Sequence, residues 1–233
     1  MPLAGSSLES LENVMTTTHS RALRQFNASE WEAMVACGIV PERAKASGYM
    51  RLRFTVDEYL ALGAAGILAK EERVELLDGE IIQMAPIGNR HRNSVNWLAD
   101  LMGEAFGGRA MVQVQGSIQL DDASAPQPDI AVIRRGSINE IGPVLPSDVY
   151  LLVEVADSSL EFDLGEKLAR YAAAGIPEVW VANLRAGELV VNTEPAGTTY
   201  ANVRIVPLDG VVSPQAFPDV ALAVADFIPA VGR

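Results

Sequence analysis

At 233 residues, with 49% hydrophobic side chains and a net charge of −12, the chain can bury one sizeable core, and its acidity argues against coating nucleic acid by long-range attraction. No apolar run approaches the roughly 18 residues of a membrane span, since acids interrupt even Val149 to Val155 and Val220 to Ile228. The single cysteine, Cys37, excludes an intrachain disulfide and a cysteine-rich zinc site, and the N-terminus shows neither a basic leader nor an apolar signal core. A reducing, cytoplasmic setting is expected.

Residues 1–25 are rich in Gly, Ser and Thr with little apolar periodicity, which predicts loose packing. Phe26 to Val40 aligns with Phe54 to Leu68, sharing Phe26/Phe54, Glu30/Glu58, Ala33/Ala61, Gly38/Gly66 and Ile39/Ile67. This is a duplicated helical unit, with two copies too few for a solenoid. Thr55 to Glu58 reads as a capping box, and Ser29 to Glu32 has the same form. We expect residues 1–49 to form a helical N-terminal extension and 50–233 the main domain. Asp78-Gly79 predicts a hairpin between Val74 to Leu77 and Glu80 to Met84. Apolar residues at Val95, Leu98, Leu101, Met102 and Ala105 predict a helix over 90–106. Strands are predicted over 111–120, 129–134 and 149–155, then a helix from near Asp163 that stops at Gly175-Ile176-Pro177. A strand over 178–183 and a β-rich tail with one closing helical turn complete an α/β chain, a mixed sheet with helices on its faces.

The residues that carry chemistry are those at odds with these elements. Glu154 stands inside Val149 to Val155, where an unpaired buried carboxylate would cost several kcal/mol, so it needs a cation or a strand end open to water. Asp129 opens a second apolar strand after Pro126-Gln127-Pro128, two prolines that fix where pairing begins. On neighbouring strands, Asp129 and Glu154 would share a hard divalent cation, Mg2+ or Mn2+ rather than zinc. Lys167 borders the apolar stripe of the helix after Glu154; it either snorkels or brings a cation to an attacked phosphate. His91, at a helix start between two arginines, suits phosphate contact or proton transfer as well as a plain surface role. Glu75 is either a further ligand or a hairpin ion-pair partner of Arg73. DNA contact would have to be local, through Asn89 to Arg92 with Arg109, and Arg134-Arg135.

Arg73 to Ile81, Arg90-His91, Gln127 to Val132, Leu152 to Val155, and Asp163 to Tyr171 with Ala174 to Glu178 together resemble the Uma-type restriction endonucleases, a branch of the PD-(D/E)XK nuclease superfamily. The resemblance covers roughly residues 52–230. It implies a restriction-endonuclease-like fold, magnesium dependence, endonuclease action on DNA and a homodimer, with Asp129 and Glu154 as the motif acids. Where the superfamily places a lysine two residues after the glutamate, this chain has Ala156; the resemblance moves that role to Lys167. Ala156 to Ser159 also departs from the Ser-Pro-Ser turn common there. A non-catalytic dimeric interaction module on the same fold is the rival reading. A carboxylate-pair glycosidase suits the chain less, at 6% aromatic residues.

Overall fold

The computed structural model describes residues 23–40, 53–136 and 142–230; the looseness expected of 1–25 falls almost wholly outside them. They form two compact units, one from Ile87–Gly116 with the described parts of Pro128–Arg233, the other from the described parts of Arg21–Pro86 with Ser117–Gln127.

In the second unit the duplication is plain. Helices α1 (Ala28–Ala36) and α2 (Val56–Ala64) each open on a reciprocal capping box and are each followed by a glycine at positive φ, Gly38 and Gly66. The caps are Asn27 with Glu30 and Thr55 with Glu58, so the first box starts two residues before the expected Ser29 and keeps the register of the repeat. Met34 and Leu62, equivalent in the two copies, are both fully buried in one apolar cluster with Val40, Phe54, Leu68, Val74 and Ile81. Arg24 binds Glu30 and Glu72, joining the first copy to the segment after the second. The first copy thus shares a core with residues from Phe54 to Ile81. The predicted hairpin forms from β1 (Val74–Leu77) and β2 (Glu80–Gln83), with Asp78 and Gly79 both at positive φ as a tight two-residue turn requires.

The first unit is a six-stranded mixed sheet in the order β3-β4-β5-β6-β7-β8. Its strands are β3 (Ala110–Val114), β4 (Ile130–Arg134), β5 (Val149–Ala156), β6 (Glu178–Asn183), β7 (Glu188–Ala196) and β8 (Thr199–Pro207). All neighbours are antiparallel except β5 and β6. Strand β3 is shorter than predicted because Gln115 takes a positive φ of 50° just before Gly116. Helix α3 (Asn89–Phe106) lays Val95, Leu98, Met102 and Phe106 into a core with Leu151, Val153 and Val155 of β5 and Phe217, Val220 and Phe227 of the tail. The tail adds the short pair β9 (Val211–Val212) and β10 (Leu222–Ala223) and one closing 3-10 turn, Val224–Asp226. Buried Glu178 anchors it, accepting from Trp180 Nε1 at 2.7 Å and Gln215 N at 2.7 Å.

Side chains alternate along β5, so Glu154 faces away from the α3 core. There it meets the crossover between β5 and β6, which starts at Leu160 rather than Asp163. It runs as α4 (Leu160–Phe162), a π-helical turn (Asp163–Lys167) and α5 (Leu168–Ala173). The wide turn shows in Leu168 N–H reaching back five residues to Asp163 O, and such bulges recur at functional sites. Gly175, at positive φ, ends the helix as expected.

Candidate active site

Strand β4 brings Asp129 to the site. The prolines before it hold off earlier pairing, and the antiparallel register Ile130↔Val153, carried one step further, sets Asp129 beside Glu154. Asp129 Oδ2 accepts from Val155 N at 2.9 Å and pairs with His91 Nε2 at 2.9 Å, while Gln115 Nε2 donates to Oδ1 at 3.3 Å. Burial alone would raise the Asp129 carboxyl, but the His91 bond and charge, the Val155 N–H and Lys167 outweigh it and hold the group below its ordinary value. Asp129 is therefore an anion, and His91 Nε2 carries the shared proton. His91 Nδ1 is buried with no hydrogen-bond partner among the described residues.

Glu154, 2% exposed, meets Lys167, 3% exposed, at 2.9 Å between Oε1 and Nζ. The hydroxyl of fully buried Tyr171 donates to the same oxygen at 2.6 Å. Burial pushes the Glu154 carboxyl up to about 8, with Asp163 and Asp129 adding to the rise and Lys167 and Tyr171 opposing it. Asp163, also buried, accepts from the Ser159 hydroxyl at 2.6 Å.

The structure thus brings together four of the five residues expected from the sequence: Asp129, Glu154, Lys167 and His91. Glu75 is buried on β1 in the other unit, where its Oε2 accepts from Gln127 N at 3.0 Å. Sequence reasoning missed Gln115, Asp163 and Tyr171. Tyr171 was visible only as one more apolar position of a helical stripe.

A divalent cation would suit this donor set, because burial, with Asp163 and Asp129 beside it, drives Glu154 toward its neutral form and a positive ion would relieve that. Among the described residues no group of three or more His, Cys, Asp and Glu is arranged to hold a metal. An ion here would have to take Asp129 and Glu154 as ligands and complete its shell with water and phosphate, as magnesium commonly does.

The basic patches divide by position. Arg90 and Arg92 share the N-terminal turn of α3 with His91, Arg90 donating to Leu184 O at 2.6 Å and exposed Arg92 to Asn89 at 2.5 Å. Arg109 lies beyond the other end of that 18-residue helix, paired with Asp219. Arg134 ends β4 and Arg135 follows it, about 17 Å along the strand from Asp129. No helix among the described residues is long and apolar enough to cross a membrane.

The family described as "Uma2: Putative restriction endonuclease" matches residues 56–225. A crystal structure titled as a "putative nuclease belonging to DUF820" from Anabaena variabilis ATCC 29413 superposes with a TM-score of 0.61 at 17% identity, over 75% of this chain and 97% of that one. No curated protein matches.

Proposed function

Since the chain belongs to the Uma2 restriction-endonuclease family, we propose that it is a metal-dependent endonuclease that hydrolyses DNA phosphodiester bonds at the Asp129–Glu154–Lys167 cluster. The observation that carries the reading is two carboxylates on adjacent strands, one of them bonded to a lysine delivered by the crossover helix. Buried acids of this kind cost stability, and such groups cluster at functional sites.

Asp129 and Glu154 would hold Mg2+ or Mn2+; when bound, such an ion polarises a phosphate oxygen and lowers the pKa of water. Asp129 is kept ionised and oriented by His91, Val155 N–H and Gln115. With Nε2 turned to Asp129 and Nδ1 buried, His91 serves as a positioning residue for that acid. Lys167 pairs with Glu154 in the resting protein, and its ammonium would stabilise charge developing on an attacked phosphate. Glu75, in the other unit, has no part assigned in these steps.

DNA would lie over the N-terminal turn of α3, guided by Arg92 and the free end of that helix. Action as a homodimer, in the cytoplasm, belongs to the same proposal.

The test is nicking of supercoiled plasmid by the purified chain with Mg2+ or Mn2+, with and without chelator, beside Glu154→Gln. Chelator-sensitive nicking that the variant lacks is expected. The rival interaction module requires a folded protein that neither nicks nor binds the ion.

A further inference from the structure

Lys167 and Tyr171 stand four residues apart across the junction of the π turn and α5, so they share one helical face. Both reach the same atom, Oε1 of Glu154. A fully buried phenol needs a partner, but many acceptors would serve. Packing alone would be met by phenylalanine, and Lys167 already supplies Glu154 with a counter-charge. The added bond is directional: two donors converging on Oε1 fix the rotation of the carboxylate, and neither of these two bonds goes to Oε2.

We infer that Tyr171 is a positioning residue which, with Lys167, holds Oε1 of Glu154 so that Oε2 alone is presented to a divalent cation. The inference rests on the proposed role of Glu154 as a ligand of that cation. A carboxylate free to turn exchanges its two oxygens and loses a defined binding direction, and removing the outer partner of a metal ligand typically weakens metal affinity about 10- to 100-fold.

The experiment is calorimetric titration of the full chain with Mn2+, without DNA, for the wild type, Tyr171→Phe and Glu154→Gln. The wild type should bind, Glu154→Gln should not, and Tyr171→Phe should bind roughly 10- to 100-fold more weakly while unfolding cooperatively in urea. Wild-type affinity in a folded Tyr171→Phe protein, with or without a lower urea midpoint, overturns the positioning role and leaves the cation site standing. Wild-type protein that binds no Mn2+ overturns the site and the inference together. Should Tyr171→Phe not fold, ultraviolet difference spectra of the wild type decide: a tyrosine signal that saturates with Mn2+ supports the role, and a flat one overturns it.

Discussion

Lys167 Nζ and Glu154 Oε1 form an ion pair 2.9 Å long in which both side chains are almost wholly shielded from water. Both side chains are shielded from water, so removing Lys167 takes from the Glu154 carboxylate the ammonium it is bonded to. Lys167→Met should therefore lower stability by about 3–5 kcal/mol at pH 8, read from urea unfolding, and the Lys167→Met/Glu154→Gln double variant should recover most of the loss. Simple additivity of the two single variants would show that the pair is not coupled.

For the same reason the carboxylate variants should differ in stability. Asp129→Asn and Glu154→Gln keep an acceptor for their donors, and each should lose Mn2+ binding by calorimetry with the fold retained. Glu154→Ala leaves Lys167 and the Tyr171 hydroxyl buried without that acceptor and should be the least stable of the three.

The pH profile of the metal-free protein follows from Glu154. Its folded value, about 8, lies above the ordinary 4.5, so its contribution to stability is fully present below pH 4.5 and is lost as pH rises to 8. In that window wild-type stability should fall relative to Glu154→Gln by up to about 1.4 kcal/mol per pH unit. Asp129 acts oppositely, stabilising above its ordinary 3.8 and losing that contribution as pH falls below it. Chemical unfolding at half-unit pH steps measures both; a parallel pair of curves above pH 4.5 would contradict the burial of an acid at residue 154.

The two copies of the helical unit should be energetically equivalent. Met34→Ala and Leu62→Ala each empty a fully buried position in one cluster and should each cost about 2–5 kcal/mol. Deleting residues 1–49 removes Met34, Val40 and the Arg24 pairs with Glu30 and Glu72, so hydrogen exchange in residues 54–86 should speed up markedly in the truncated chain. Unchanged protection there would mean the first copy packs without supporting the second.

Phosphate contact, if it runs along the N-terminal turn of α3, should depend on Arg92 more than on Arg134. Arg92→Ala should weaken DNA binding and reduce the salt slope by about one, whereas Arg134→Ala, at the far end of β4, should do neither. Fluorescence anisotropy over a salt series reads both, and equal effects would move the DNA path away from α3.

What the sequence disclosed depended on contradiction. Glu154 and Asp129 were legible because a carboxylate inside or at the mouth of an apolar strand has to be explained, and Lys167 because it borders an apolar stripe. Tyr171 broke no pattern: an aromatic at a stripe position reads as core, and it is core, with its hydroxyl doing something periodicity does not encode. Gln115 takes its positive φ just before Gly116, a glycine inside the apolar run, and β3 was drawn too long by reading through it. Arg90 read as a free cation because its acceptors, the carbonyls of Leu184 and Pro229, lie 94 and 139 residues away and every residue has a carbonyl. The repeat fixed the capping register better than the cap residues did, since the offset of Phe26 from Phe54 points to Asn27 where Ser29 looked the better candidate.

The parallel pairing of β5 with β6 sets the order in which this site can come into being. Strands β6, β7 and β8 are linked by short turns and can pair early, whereas β5 meets β6 only once the whole crossover has closed. Glu154 lies on the first strand of that crossover, and Lys167 and Tyr171 ride on the segment that closes it. The segment that shields the acid and the lysine that pairs with it are one piece of chain, so burial of Glu154 and arrival of its counter-charge are a single event.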